Sequence, residues 1–146
     1  MLNYNQALPE EKSYQDLQMK EIKPIMKLII RGKNREFISA VGKSLNILLP
    51  TESNTSSQSD RLTALWLSPD EWMLYSNGLV DESSNNYETE KLLYNKISKL
   101  NLGAVTDLTD QFVMINLKGN KIFNLFQTGS PFNFSDFQNK KGAVTQ

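Results

Sequence analysis

The chain has 146 residues, and its sixteen basic and sixteen acidic side chains give a formal net charge of zero. This balance argues against a nucleic-acid-binding scaffold, because such proteins use a basic surface to displace counterions from phosphates. The sequence contains neither cysteine nor histidine, which excludes disulfides, thiol nucleophiles, the usual zinc sites and the commonest acid–base catalyst at neutral pH.

The sequence predicts a cytoplasmic protein without membrane partners. No apolar run approaches the roughly 20 residues that cross a bilayer. Charged side chains interrupt residues 1–20, where a signal peptide would hold an apolar core. A chain of this length is one typical domain and buries roughly two-thirds of its unfolded surface.

Residues 1–22 are polar and have no regular pattern. Pro9-Glu10-Glu11 could begin a short helix, because proline suits the first helical position and acidic residues suit the first turn. We expect residues 1–22 to form an N-terminal arm that packs loosely or contacts a partner.

The first regular elements are a strand and a helix. The β-branched, largely apolar run Ile25–Ile30 predicts a central strand, and Gly32 ends it. Asn34 is a suitable N-cap for a helix whose apolar residues recur at helical spacing and form one buried face. These apolar residues are Phe37, Ile38, Val41 and Leu45.

Residues 51–60 form a polar run without an apolar side chain, which predicts a mobile surface loop. A phosphate-binding role is disfavoured, because the run has neither the glycines nor the lysine of a phosphate-binding loop. Gly32 and Gly119 each precede a helix singly, without the spacing of dinucleotide-binding or P-loop motifs, so no nucleotide site is indicated.

The stretch from Leu65 to Tyr75 predicts a β-hairpin. Two apolar runs, each with a tryptophan, flank the polar break Ser68-Pro69-Asp70-Glu71. Proline sets φ for the first central position of a turn, and serine and aspartate are favoured beside it. Strands rich in aromatic and aliphatic residues on both sides of such a turn are typical of a hairpin.

The next segment completes the first module. Asn85 and Glu88 have the spacing of a capping box, and apolar residues at helical spacing continue to about Leu100. Gly103-Ala104-Val105 begins a strand that turns at residues 107–110. The order βαββαβ predicts an α+β, ferredoxin-like module over residues 23–110, with a mainly antiparallel sheet and both helices on one face.

Residues 111–146 are predicted to form an incomplete second module, related to the first and packed on it. Val113–Leu117 alternates between two faces, Gly119 follows, and a helix with Ile122, Phe123 and Phe126 comes next. The order strand, glycine, apolar helix, glycine repeats the pattern that begins at Leu28. Gly142–Gln146 has the pattern of an opening strand, so we expect the chain to end in the middle of this second module.

Two acidic pairs are candidates for chemistry, and both have a structural interpretation. Asp70 and Glu71 are adjacent, and neighbouring side chains of a strand point to opposite faces, so a paired general acid and base is disfavoured. Asp107 and Asp110 bracket a turn, where aspartate commonly accepts hydrogen bonds from the backbone. We predict no catalytic residue and no metal site in this chain.

Aromatic residues offer the remaining candidates. Trp66 and Trp72 could stack on a flat ligand, although large aromatic residues in a strand pair are more often part of the core. The phenylalanines after residue 111 are too apolar for an open surface, and we expect those left uncovered to favour a subunit contact. They are Phe112, Phe123, Phe126, Phe132, Phe134 and Phe137.

Two stretches resemble the gamma subunit of heterotetrameric sarcosine oxidase. Leu65–Leu74 is similar to that family's Leu-Trp-Leu-Gly-Pro-Asp-Glu-Trp-Leu-Leu segment, and Ala104–Phe134 is similar to a segment shared with the wider aminomethyltransferase-like folate-binding group. The chain departs from the family at Thr109, Asn120 and Asn133, where the family has serine, proline and an acid. The matching motif positions are Pro69, Asp70, Glu71, Trp72, Asp107 and Gly119.

The resemblance implies a non-catalytic subunit with a structural or assembly role, in a complex that oxidatively demethylates sarcosine and passes formaldehyde to tetrahydrofolate. The other subunits would carry FAD, FMN, NAD, zinc and tetrahydrofolate, and this chain would bind no cofactor. Two alternatives remain open. One is a free-standing folate-binding or aminomethyltransferase-like protein, and the other is an unrelated ferredoxin-like binding module.

Overall fold

The structure, a computed structural model, describes residues 5–78, 87–137 and 140–146. The chain divides into two compact units. Pro24–Gln111 and Gly142–Gln146 form one, which we call the central unit. Met1–Lys23 and Phe112–Lys141 form the other, which we call the terminal unit.

The described residues form eight strands and three α-helices. The strands are β1 (Lys12–Tyr14), β2 (Leu17–Ile22), β3 (Lys27–Arg31), β4 (Ser56–Gln58), β5 (Leu62–Ser68), β6 (Glu71–Ser76), β7 (Ala104–Asp107) and β8 (Met114–Lys118). The helices are α1 (Arg35–Leu45), α2 (Tyr87–Leu93) and α3 (Ile122–Gly129). A π-helical segment, Tyr94–Ser98, continues α2, and a 3-10 turn, Phe134–Phe137, follows α3.

The central unit is built on a five-stranded antiparallel sheet with the order β4-β5-β6-β3-β7. Helix α1 lies between β3 and β5 in sequence, and α2 lies between β6 and β7. The strand order β7-β3-β6-β5 with these two helices is the ferredoxin-like arrangement. The predicted α+β fold class is therefore confirmed.

The core of the central unit lies between one face of the sheet and the helices. Successive side chains of a strand point to opposite faces, so alternate residues of β3 and β6 meet the helices. The largest fully buried side chains are Leu28, Ile30, Phe37, Val41, Trp72, Leu74, Leu93 and Ile97. Burying each such aliphatic or phenylalanine side chain stabilises the fold by roughly 1.5–3 kcal/mol.

The start of α1 explains how Phe37 becomes fully buried. The Asn34 side chain accepts a hydrogen bond of 2.7 Å from the Phe37 amide, which confirms the predicted N-cap. A Cβ atom at Gly32 would overlap the Phe37 ring, and one at Gly103 would overlap both that ring and the Arg31 carbonyl. The two glycines therefore leave the space that the ring occupies.

The predicted hairpin is present as β5 and β6. The strands pair from Leu62 opposite Ser76 to Ser68 opposite Glu71, and the register shifts between Trp66 and Ser68. The chain reverses at Pro69-Asp70, as the turn residues predicted.

Residues 51–60 differ from the prediction of a surface loop. Ser56–Gln58 is the edge strand β4, paired with β5, and the Thr55 carbonyl accepts a hydrogen bond from the Trp66 amide. An edge strand needs only backbone pairing on one side, so a polar sequence can form it. The absence of apolar residues therefore did not exclude a strand.

The second helix of the central unit is less regular than predicted. Helix α2 ends at Leu93, and the chain continues in π-helical geometry, with the Lys99 amide donating to the Tyr94 carbonyl. Leu93 and Ile97 are buried, whereas Leu92 and Leu100 are exposed. The predicted capping residue Asn85 lies outside the described residues.

The terminal unit contains a three-stranded antiparallel sheet with the order β1-β2-β8. The prediction of a loosely packed N-terminal arm is therefore wrong for Lys12–Ile22, and residues 5–11 contain no helix. Met19 lies opposite Leu117, far along the chain. Sequence patterns near residue 20 cannot reveal a partner strand at such a distance, so the polar pattern of this stretch does not by itself predict β2.

The last residues of the chain belong to the central unit and pair with the segment just before β4. Ala143 forms an antiparallel bridge with Thr55, and the Val144 amide donates to the Asn54 carbonyl at 2.9 Å. The sequence predicted Gly142–Gln146 as the opening strand of the second module. These residues instead extend the edge beside β4, where unpaired backbone groups are available.

Candidate functional site

The two tryptophans of the hairpin lie opposite each other on β5 and β6. Trp72 is buried, stacks on Phe37 with a centroid distance of 5.8 Å, and donates from its indole nitrogen to the Pro50 carbonyl at 2.7 Å. Trp66 is partly buried against the same core. Trp72 therefore has no open face on which a flat ligand could stack.

The hairpin turn centres on the Asp70 carboxylate, and the neighbouring Pro69 is exposed. Asp70 accepts a hydrogen bond of 2.8 Å from the Ser68 hydroxyl, and it lies 3.7 Å from the Arg31 guanidinium and 3.8 Å from the Lys33 ammonium. The Ser68 hydrogen bond, and then the two cations, lower the pKa of Asp70 below its usual value. Asp70 therefore acts as an anion that links the turn to the segment before α1.

Glu71 does not join Asp70 in a common site. It lies directly opposite Arg31 in the pairing of β3 with β6, and it precedes the buried Trp72 on its own strand. Its side chain therefore points to the face of the sheet opposite the helices. The two adjacent acids thus have separate surroundings.

A buried lysine, Lys27, connects the start of β3 to the turn after β7. It is 3% exposed, and its ammonium donates to the Thr109 carbonyl at 2.9 Å and to the Ile25 carbonyl at 3.1 Å. Burial lowers the pKa of Lys27, while Asp110 and Asp107 act in the opposite direction. The sequence interpretation missed this residue because it lies within an otherwise apolar strand.

Asp107 shapes the same turn. Its carboxylate accepts a hydrogen bond of 2.8 Å from the Thr109 amide, and the Thr109 hydroxyl accepts one of 3.1 Å from the Lys27 amide. Asp110 is exposed. This is the backbone-bonding role that aspartate has in turns.

Gly119 occupies a position that only glycine fits without strain. Its φ is +129°, and a Cβ atom there would overlap the Asp16 carbonyl. The same carbonyl accepts a hydrogen bond from the Lys121 amide, and the Asp16 and Lys121 side chains form an ion pair of 3.2 Å. Gly119 therefore allows the β1–β2 turn to lie against the start of α3.

The phenylalanines of the terminal unit form a partly exposed cluster. Phe134 is 6% exposed, and its ring centroid lies 5.1 Å from that of Phe132 and 5.2 Å from that of Phe126. Phe126 is 40% exposed and Phe132 is 36% exposed. Phe112 is exposed as well. The cluster thus has one buried member and a surface of uncovered rings, as the sequence predicted.

A shallow cavity of approximately 390 Å³ lies between the β1–β2 turn and α3. Its walls include Tyr14, Leu17 and Leu125, and its charged residues are Asp16 and Lys121, which pair with each other. The sequence interpretation missed this cavity because Tyr14 and Leu17 lie in the stretch that was predicted to be an irregular arm.

The described part of the chain contains neither a cluster of metal ligands nor a buried polar side-chain atom without a partner. No group of three or more histidine, cysteine, aspartate or glutamate residues there could hold a metal ion. Within the same residues, every buried side-chain nitrogen and oxygen has a hydrogen-bond partner. The helices in residues 5–78, 87–137 and 140–146 include none whose length and apolar character would suffice to cross a membrane.

Comparison with known proteins identifies the fold. No family model matches the sequence, and no curated protein sequence matches it. The structure is similar to a chain of the heterotetrameric sarcosine oxidase from Corynebacterium sp. U-96 in complex with pyrrole 2-carboxylate, with a TM-score of 0.71 and 16% sequence identity. The protein has the fold of a sarcosine oxidase chain.

The similarity extends over most of this protein. It covers 89% of this chain and 64% of the sarcosine oxidase chain. The resemblance that the hairpin motif indicated is therefore confirmed for the fold. The solved neighbour is a chain of a heterotetramer.

Proposed function

We propose that this protein is a gamma-type subunit of a sarcosine oxidase complex, with a structural and assembly role and no catalytic residues of its own. The observation that carries the proposal is the fold similarity, at a TM-score of 0.71 over 89% of the chain. The Pro69–Trp72 motif supports the gamma-type assignment, because it resembles the corresponding hairpin of that subunit.

The contacts of the motif residues support a structural role. Trp72 fills the core and bonds to Pro50, Asp70 links the hairpin turn to Arg31 and Lys33, and Gly119 admits the Asp16 carbonyl. Each of these residues is explained by folding of its own unit. We therefore assign the motif residues a structural role: they stabilise the fold that presents the interface.

The proposal assigns the chemistry to the other subunits. They would carry FAD, FMN, NAD and tetrahydrofolate, and the complex would oxidatively demethylate sarcosine in the cytoplasm. Zinc is assigned to them too, because the described residues of this chain offer no ligand group that fits it. This chain would contribute surfaces that hold the larger subunits together.

Co-purification tests the proposal. The tagged chain is expressed together with the flavin-bearing subunits of a sarcosine oxidase from the same genome, and the eluate is examined for flavin absorbance and sarcosine-dependent oxidation. We expect the flavin-bearing subunits to elute with the tag. A stable monomer that leaves those subunits in the flow-through would contradict the proposal.

Titration with tetrahydrofolate separates this function from that of a free-standing folate-binding protein. Both tryptophans lie in the central unit, so their fluorescence reports on ligands there. We expect the fluorescence of the isolated chain to stay constant as tetrahydrofolate is added. A saturable change at micromolar tetrahydrofolate would favour the folate-binding alternative.

A further inference from the structure

Helix α3 is apolar and yet unburied. Ile122, Phe123, Leu125 and Phe126 occupy half of its eight positions, and none of its residues is buried. Residues 122–135 contain no ionisable side chain. A helix of a globular protein normally covers its apolar stripe against other elements and keeps charged residues on the opposite face. Helix α3 therefore has the composition of a buried helix, although none of its residues is buried.

The turn after α3 extends this apolar surface. Phe132 and Phe126 both contact the buried Phe134 ring, at centroid distances of 5.1 and 5.2 Å. The exposed rings therefore rest on a packed aromatic neighbour. Large aromatic residues bury much area in an interface, and phenylalanine is among the residues that are enriched at interfaces relative to the rest of a protein surface.

The shallow cavity continues the surface on the other side of α3. Leu125 is 40% exposed and also lines the cavity, together with Leu17 and the 61% exposed Tyr14. We call Tyr14, Leu125, Phe126 and Phe132 the α3 surface. All four residues belong to the terminal unit.

Basic residues flank the α3 surface in sequence. Phe112–Lys141 contains four lysines and one aspartate, which gives this segment a formal net charge of +3 although the whole chain is neutral. Two lysines precede α3 and two follow the aromatic turn, and all four are exposed. They are Lys118, Lys121, Lys140 and Lys141.

We infer that a larger subunit of the complex docks on the α3 surface, through an uncharged apolar patch bordered by acidic side chains. This inference rests on the proposed function, which supplies the hetero-oligomeric partner. An acidic border complements the exposed lysines of this segment, above all Lys140 and Lys141, because Lys121 already pairs with Asp16. Opposite charges across an interface speed association and exclude wrong partners. A second copy of this chain fits poorly, because a two-fold contact would bring the same lysine-rich segments together.

Substitution of the exposed rings tests the apolar part of the surface. The variant F126S/F132S removes both rings, and L48S/L100S is the matched control, because Leu48 and Leu100 are 85% and 60% exposed in the central unit. The measured quantity is the dissociation constant between the tagged chain and the purified flavin-bearing subunits. We expect the ring variant to bind roughly 30-fold or more weakly, as is typical of hot-spot residues, and the control to bind as the wild type does.

Charge reversal tests the contribution of the lysines independently of the aromatic rings. The variant K140E/K141E places acids beside the aromatic turn, and Lys43→Glu on the exposed face of α1 is its control. We expect association of the lysine pair variant to slow by roughly tenfold at low salt, and the difference from wild type to shrink as salt is added. Because both lysines are exposed, this variant keeps the test valid if the ring variant does not fold.

The outcomes separate the inference from the proposed function. If the wild type binds the flavin-bearing subunits and both α3-surface variants bind equally well, the inference is wrong and the proposed function stands. If the wild type does not bind them, the proposed function fails and the inference fails with it. A homodimer of the isolated chain that F126S/F132S dissociates would show that a second copy occupies the surface, which also overturns the inference.

Discussion

Among the described residues, every buried apolar side chain except Phe134 belongs to the central unit, whereas the aromatic side chains of the terminal unit largely face solvent. Phe37 and Trp72 are at most 2% exposed, while Phe126 and Phe132 are 36% exposed or more. Both units contain an antiparallel sheet and a helix rich in apolar residues. The central unit thus builds a buried apolar core from its own sheet and helices, although Leu48 and Leu100 stay exposed, whereas the terminal unit buries only one of its phenylalanine rings among the described side chains.

The largest expected effect distinguishes the two aromatic environments. We expect Trp72→Ala to lower the free energy of unfolding by about 3–5 kcal/mol, because it leaves a cavity beside Phe37 and an unpaired Pro50 carbonyl. We expect Phe126→Ala to cost less than about 1 kcal/mol, because that ring is already 40% exposed. Urea unfolding followed by Trp66 fluorescence and by circular dichroism measures both values. Equal losses of unfolding free energy in the two variants would contradict the difference in burial between Trp72 and Phe126.

Substitutions at two glycines, Gly119 and Gly129, test whether the β1–β2 turn packs closely against the segment that begins α3. Gly119→Ala forces a Cβ atom into the Asp16 carbonyl at a φ of +129°, and we expect a loss of about 1–3 kcal/mol. Gly129→Ala is the control, since a Cβ there has no neighbour within 4 Å. Hydrogen exchange of the β1 and β2 amides measures the effect. Unchanged protection in Gly119→Ala would indicate that the β1–β2 turn and α3 are not held together.

The buried lysine predicts a pH dependence of the central unit. Burial lowers the pKa of Lys27 in the folded state below the unfolded value of 10.5, so the unfolded state binds more protons between those two values. Stability should therefore rise with pH across that window, by at most about 1.4 kcal/mol per pH unit for one proton. We expect Lys27→Met to lack this rise. Persistence of the rise in the variant, measured by urea unfolding at several pH values, would assign it to another group.

The smallest expected effect concerns the hairpin turn. The pKa of Asp70 is lowered, chiefly by the Ser68 hydrogen bond, so the ionised carboxylate stabilises the fold above the unfolded pKa of 3.8. This contribution is lost as the pH falls through the lowered folded-state pKa. We expect Asp70→Asn to remove a small part of the acid sensitivity of the central unit, with no change in exchange of the β1 and β2 amides. Titration of Asp70 by NMR checks the direction of the shift, and a normal pKa would refute it.

The sequence alone determined the ferredoxin-like part of the fold, because its signals are local. Asn34 marks the beginning of α1, apolar spacing identifies the buried face with Phe37 and Val41, and Pro69-Asp70 marks the hairpin turn. Each signal acts over a few residues along the chain. Nearby sequence was therefore sufficient to predict the element order βαββαβ along the chain.

Only the tertiary structure decided the parts that depend on distant partners. Lys12–Ile22 becomes two strands because β2 pairs with β8, and Ser56–Gln58 becomes a strand because β5 supplies its backbone partners. The burial of Lys27 depends on carbonyl acceptors that include Thr109. The α3 surface likewise exists because Phe134 is buried while Phe126 and Phe132 remain exposed. The side-chain pattern of a segment indicates which element it can form. Whether it pairs as a strand or becomes buried depends on the backbone groups and side chains that distant parts of the chain place beside it.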